Sequence, residues 1–149
     1  MACFLTQGRL ALLDALKNDA GLAAQVATWQ EFGPGLRRRL ALAPSACPML
    51  SLAPAQGRVE QPANAQREIS QALRIDLATD GQDSVPIEEL AALVIDRVHA
   101  CNQDAMGLAS QGLRSVRLSD MAWRIQPMGD ESRVLWTASL TVVLTWRRT

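Results

Sequence analysis

The chain has 149 residues, 48% of them hydrophobic, and its fifteen basic and fifteen acidic side chains give a formal net charge of zero. Length and apolar content suit one domain over residues 1–149 with a real core, and are too short for two. No apolar run nears the roughly 18 residues of a membrane span, and residues 1–5 lack the basic flank and long apolar centre of a signal peptide, so a cytosolic chain without membrane attachment is expected.

Residues 6–18 read as a helix, with Thr6 as the candidate N-cap and Leu10, Leu12, Leu13 and Leu16 on its apolar side. Asn18 and Asp19 interrupt it, and Leu22, Ala23 and Val26 form a second short helical turn before Trp29. Residues 30–48 read as irregular, with a break at Gly33, Pro34 and Gly35 and a helical turn around 36–42. The cluster Arg37, Arg38, Arg39 has no interleaved aromatics and no Gly-rich phosphate cradle, so it is read as a solvated or partner-facing patch rather than a nucleic-acid site.

A short strand at 48–53 is expected to stop at Pro54, and residues 55–66 form a polar, turn-rich loop longer than a tight hairpin needs. Residues 69–78 alternate as a strand, Leu73, Ile75 and Leu77 on one face and Arg74 and Asp76 on the other. The best helix is 85–102, capped by Asp83 and Ser84, with Pro86 in its first turn. Its stripe of Ile87, Leu90, Ala91, Val94, Ile95, Val98 and Cys101 faces a core, leaving Glu88, Glu89, Asp96 and Arg97 exposed. Glu88 and Glu89 are adjacent and diverge, so they do not form an acid/base pair.

After a loop at 102–112 comes the strongest signal in the chain, a hairpin. Its first strand, 116–126, carries Val116, Leu118, Met121, Trp123 and Ile125, and residues 127–132 make the turn. Its second strand alternates strictly: Val134, Trp136, Ala138, Leu140, Val142, Leu144 and Trp146 share one face, and Thr137, Ser139, Thr141 and Thr145 the other. That is a long strand with one buried and one wet face. The expected fold class is α+β, two-layer, with a largely antiparallel four-stranded sheet and a long helix and an N-terminal helix packed on one face. The pattern leaves strand order open.

Chemistry is sparse. Cys3, Cys47 and Cys101 match no zinc spacing and read as free thiols, and His99 is the single histidine, so no metal, cofactor or catalytic residue is expected. The strongest enzymatic candidates, His99, Cys101 and Asp104, accompany no nucleophile elbow, metal set or phosphate loop. Zero net charge conceals an uneven spread. Residues 1–75 carry eight basic against five acidic side chains, 76–113 one against seven, and 114–149 six against three, with sums of +3, −6 and +3. An acidic middle between basic ends suits head-to-tail or stacked assembly better than sequence-specific nucleic-acid binding, and solvated faces without a partner give the same pattern. Lys17 is the one lysine against fourteen arginines, a bias that interfaces favour and genomic base composition also produces.

The order of elements resembles the tail terminator or tail completion proteins of long-tailed bacteriophages. The resemblance runs over residues 5–148: an N-terminal helix at 10–22, a Pro-bounded strand at 47–52, a polar loop before the strand 73–77, the amphipathic helix 87–98, and a hairpin running out through 117–120 and back through 138–142. It implies a non-enzymatic virion protein of the tail and neck, assembled in the host bacterial cytoplasm. Such proteins form homo-oligomeric rings, typically hexamers, that end tail-tube polymerisation. Implied partners are other copies of the chain, the tail tube protein, a head completion or neck protein and, in contractile tails, the sheath protein. On this reading residues 54–68, with Arg58, Val59, Glu60, Gln61 and Arg67, contribute contacts to a neighbour, and the alternative is a plain solvent loop. A head completion or neck protein would suit the same features. A small ligand-binding module with a pocket between helix and sheet remains a different class of reading.

Overall fold

Residues 3–31, 47–60, 67–81, 83–101, 106–128 and 130–148 are described by the computed structural model of the chain. Within them the order is α1 (Phe4–Lys17), α2 (Ala20–Gln25), β1 (Thr28–Glu31), β2 (Met49–Glu60), β3 (Arg67–Gly81), α3 (Val85–Ala100), a 3-10 turn (Ala109–Gln111), β4 (Leu113–Met128) and β5 (Asp130–Arg148). The strands form one sheet in the order β1-β2-β3-β5-β4, with β1 parallel to β2 and the remaining neighbours antiparallel.

The two-layer α+β architecture holds. Leu12, Leu13 and Leu16 of α1, Leu22 of α2 and Ile87, Leu90, Ala91, Val94 and Val98 of α3 share one buried cluster with Leu73, Ile75, Leu77, Leu140, Val142, Leu144 and Trp146 of the sheet. Both helical spacing and strand alternation therefore converge on one core, where each buried Leu, Ile or Val contributes about 1.5–3 kcal/mol. Arg97 departs from its expected exposure: it is half-buried because its Nε donates to the Ala15 carbonyl at 2.7 Å, tying α3 to α1. At the start of α3, Asp83 Oδ1 accepts the Val85 N–H at 3.0 Å, while Ser84 occupies the N-cap without a side-chain bond. The N-cap of α1 is Cys3, one turn earlier than Thr6, and Asp19 caps α2 by accepting the Leu22 N–H at 3.0 Å.

The sheet has a fifth strand. Thr28–Glu31 is too short to display alternation and gains its place by pairing in parallel with Met49, Leu50, Ser51 and Leu52. Pro54 does not end β2, contrary to expectation. Among the described residues β1 pairs with β2 only as far as Leu52, so beyond that point β2 has one described neighbour, an arrangement in which proline's missing N–H is tolerated, and the register shifts between Pro54 and Gly57. Residues 55–60 and 67–68, expected as loop, are thus strand, and β3 runs on through Thr79 and Asp80 to Gly81.

β4 carries a register shift between Leu118 and Asp120. Before it Val116 and Leu118 lie opposite core-facing Leu144 and Val142; after it Met121, Trp123 and Ile125 lie opposite Leu140, Ala138 and Trp136. One extra residue thus moves the inward face from even to odd positions. The expected wet face of β5 is only partly so. Thr137, Ser139, Thr141 and Thr145 are half-buried, and Leu135 joins Met49 and Ala78 in a second, small buried cluster against which Cys47 packs.

Candidate functional site

Strand directions give the sheet two ends. At one, β2 finishes at Glu60, β3 starts at Arg67 opposite Arg148, and β4 starts at Leu113 opposite Trp146. At the other, β3 finishes at Gly81 opposite Val134, and the β4–β5 hairpin continues beyond it to Met128 and Asp130.

The first end is built around α1. Phe4 meets the Trp146 ring edge-on at 5.0 Å between centroids, and the Arg148 guanidinium lies 4.2 Å over the Phe4 ring. Gly8 lets the helix approach this closely, since a Cβ there would lie 2.6 Å from Trp146 Cζ2. Gln71 links the layers, accepting the Trp146 indole N–H at 3.0 Å and donating to the Leu5 carbonyl at 2.8 Å. Between α1 and the β2–β3 hairpin is an open groove of about 620 Å³, with Leu5, Arg9, Pro54, Arg58, Val59 and Ile69 among its lining. Its lining is largely apolar, and Arg9 and Arg58 are its basic residues.

Of the sequence-derived candidates, Arg58 and Val59 are exposed on β2 opposite Ser70 and Ile69, Glu60 ends that strand opposite Glu68, and Arg67 is exposed at the start of β3. These four stand together on the paired strands of one hairpin. Gln61, Arg37, Arg38 and Arg39 lie outside the described residues. Glu68 and Arg147 approach to 3.8 Å, an exposed pair of small energetic weight.

The second end carries a stripe of the apolar positions expected on the first hairpin strand. Met121, Trp123 and Ile125 face the helix side of the sheet, yet they are 37%, 46% and 59% exposed. They lie on β4, an edge strand of the sheet among the described residues. Exposed Val85 begins α3 at the same end. The partners of Met121 and Trp123 on β5, Leu140 and Ala138, are buried, so the exposure belongs to the edge position of β4, which the sequence pattern does not carry.

Thiol environments differ across the molecule. A hydrogen bond from the Thr6 side chain, 3.3 Å from Cys3 Sγ, lowers the pKa of exposed Cys3, and burial raises that of Cys101. His99 is exposed on the last turn of α3 whereas Cys101 is buried, and Asp104 lies outside the described residues. Among the described residues no group of three or more His, Cys, Asp or Glu side chains could hold a metal ion, and no helix is long and apolar enough to cross a membrane.

No protein-family model matches the chain, and no curated protein matches it significantly. Among solved structures, it is similar to a chain of the virion of a native gene transfer agent (GTA) particle, with a TM-score of 0.53 and 16% identity. The match covers 96% of this chain and 99% of that one. At this identity the likeness is one of fold, and it extends over nearly the full length of both chains.

Proposed function

We propose that this chain is a structural protein of a phage-like particle, with no enzymatic role, and that it forms a ring at the head-proximal end of the tail tube. The observation that carries the reading is the fold shared, almost end to end, with a chain of a gene transfer agent virion. The physical features agree with it. The residues most available to neighbours are hairpins and strand ends rather than a polar cleft, and opposite ends of the sheet differ in charge. On this reading the ring ends tube polymerisation and offers the surface that joins the head, with the tail tube protein and a head completion or neck protein as partners, and the sheath protein in a contractile tail.

Native mass measurement of the purified protein, alone and with isolated tail tubes, tests this. A closed oligomer, a hexamer by the resemblance, bound at tube ends is the expected result. A protein that stays monomeric in the presence of tubes overturns it, and binding to filled heads in preference to tubes reassigns the protein to the head side of the same junction.

A further inference from the structure

The exposed stripe of Met121, Trp123 and Ile125 calls for a cover. Large exposed apolar side chains along an edge strand are an association surface, and an uncovered one promotes aggregation. The same chain offers a complementary surface at the opposite end of its sheet, the groove between α1 and the β2–β3 hairpin, where Leu5 is 37% and Val59 63% exposed. Charge follows the same division. By topology the groove end carries Arg9, Arg58, Arg67, Arg114, Arg147 and Arg148 against Glu68, six less one, or +5. The stripe end carries Asp80, Asp83, Glu88 and Glu89, or −4.

We propose that copies of this chain join head to tail, the Met121–Trp123–Ile125 stripe of one copy seating on the apolar groove beside Leu5 and Val59 of the next. The proposal rests on the ring reading above and supplies its subunit contact. Two stripes brought together would juxtapose two acidic ends, and two grooves two basic ends, whereas stripe on groove pairs opposite charges and buries apolar surface on both sides. A contact between unlike surfaces repeats from copy to copy, and it ends only when the rotation closes a ring.

Three proteins and one mixture test this by native mass measurement, with tail tubes added where the wild type closes only on them. The stripe variant is Trp123→Glu with Ile125→Glu, and the groove variant is Leu5→Glu with Val59→Glu. All four positions are exposed, so circular dichroism is expected to show the wild-type fold. Each variant alone is expected to self-associate about 30-fold or more weakly, the effect of losing a buried aromatic or aliphatic anchor. The equimolar mixture is expected to give one-to-one dimers, because the intact groove of the stripe variant accepts the intact stripe of the groove variant. Rings formed normally by both variants overturn the contact and leave the ring reading standing. A groove variant that assembles normally, beside a stripe variant that does not, overturns the head-to-tail arrangement in favour of stripe against stripe. A wild type that remains monomeric with tubes present removes the ring reading itself, and the proposal with it.

Discussion

The Trp146 indole N–H, on a side chain with no exposure, is held by the Gln71 amide oxygen at 3.0 Å. Gln71 in turn donates to the Leu5 carbonyl in the first turn of α1, so one amide satisfies the deepest aromatic of the sheet and fixes the helix start. Gln71→Leu keeps the bulk and removes both bonds. Leaving the indole donor unsatisfied is expected to cost about 1–3 kcal/mol. Chemical denaturation measures the loss, and hydrogen exchange is expected to speed up in the first turn of α1 before the rest of the helix.

Thr79 presents the opposite case. It is 2% exposed on the core side of β3, and its hydroxyl has no hydrogen-bond partner among the described residues. Thr79→Val retains the β-branched shape that suits a strand and removes the unmet group. Stability is expected to rise by about 1 kcal/mol, or about 3 °C in Tm for a chain of this size. Calorimetry showing a lower Tm would mean that the hydroxyl is satisfied in solution.

Gly112 closes the 3-10 turn that leads into β4 with φ at 101°, and its carbonyl accepts the Arg147 N–H at 2.8 Å. A methyl at this position would overlap the Arg147 carbonyl oxygen, in a backbone region that side chains already disfavour. Gly112→Ala is therefore expected to destabilise by about 2 kcal/mol or more. Gly107 also has positive φ, but a Cβ there meets nothing within 4 Å, so Gly107→Ala serves as the control and is expected to cost less in the same melting experiment.

How far the sequence announced this fold depends on which physical signal each segment carried. The face of β5 from Ala138 to Trp146 and the stripe of α3 were legible because burial on one side imposes a period, and Leu140, Val142, Leu144, Ile87, Leu90 and Val94 obey it. β1 was not legible, since four residues hold no period and the strand depends on β2 for its place. Pro54 misled because a proline stops a central strand but not an edge, and edge status is a tertiary fact. The candidate site divides in the same way. Exposure of Arg58, Val59 and Arg67 followed from a polar stretch, whereas the exposure of Met121, Trp123 and Ile125 depends on the edge position of β4, which apolar alternation does not reveal.

Cysteine reactivity is expected to follow environment. Thr6 stabilises the Cys3 thiolate, so alkylation of Cys3 should reach half its maximal rate at a pH below the ordinary thiol value of 9.0, and Thr6→Val should move that midpoint upward. Burial holds Cys101 protonated and shielded, so it should react last, and at higher pH. Mass spectrometry after timed iodoacetamide pulses across pH follows both residues. Equal rates at Cys3 and Cys101 would contradict the assigned burial.

Charge at the groove end of the sheet gives the final prediction. Arg58 and Arg67 are exposed on paired strands of one hairpin, at the basic end that the head-to-tail contact sets against an acidic one. Arg58→Glu with Arg67→Glu is expected to slow assembly and weaken it, with the monomer's melting temperature within about 2 °C of wild type because exposed charges contribute little to stability. Light scattering during assembly measures the rate. Wild-type assembly should also slow between about 0.1 M and 1 M salt, as the Debye length falls from about 10 Å to about 3 Å and steering between unlike ends is screened. The double variant should lose most of that salt dependence or reverse it, since two reversed charges at its groove end now repel the acidic end. Assembly that is indifferent both to the reversals and to salt would leave the apolar surfaces as the whole of the contact.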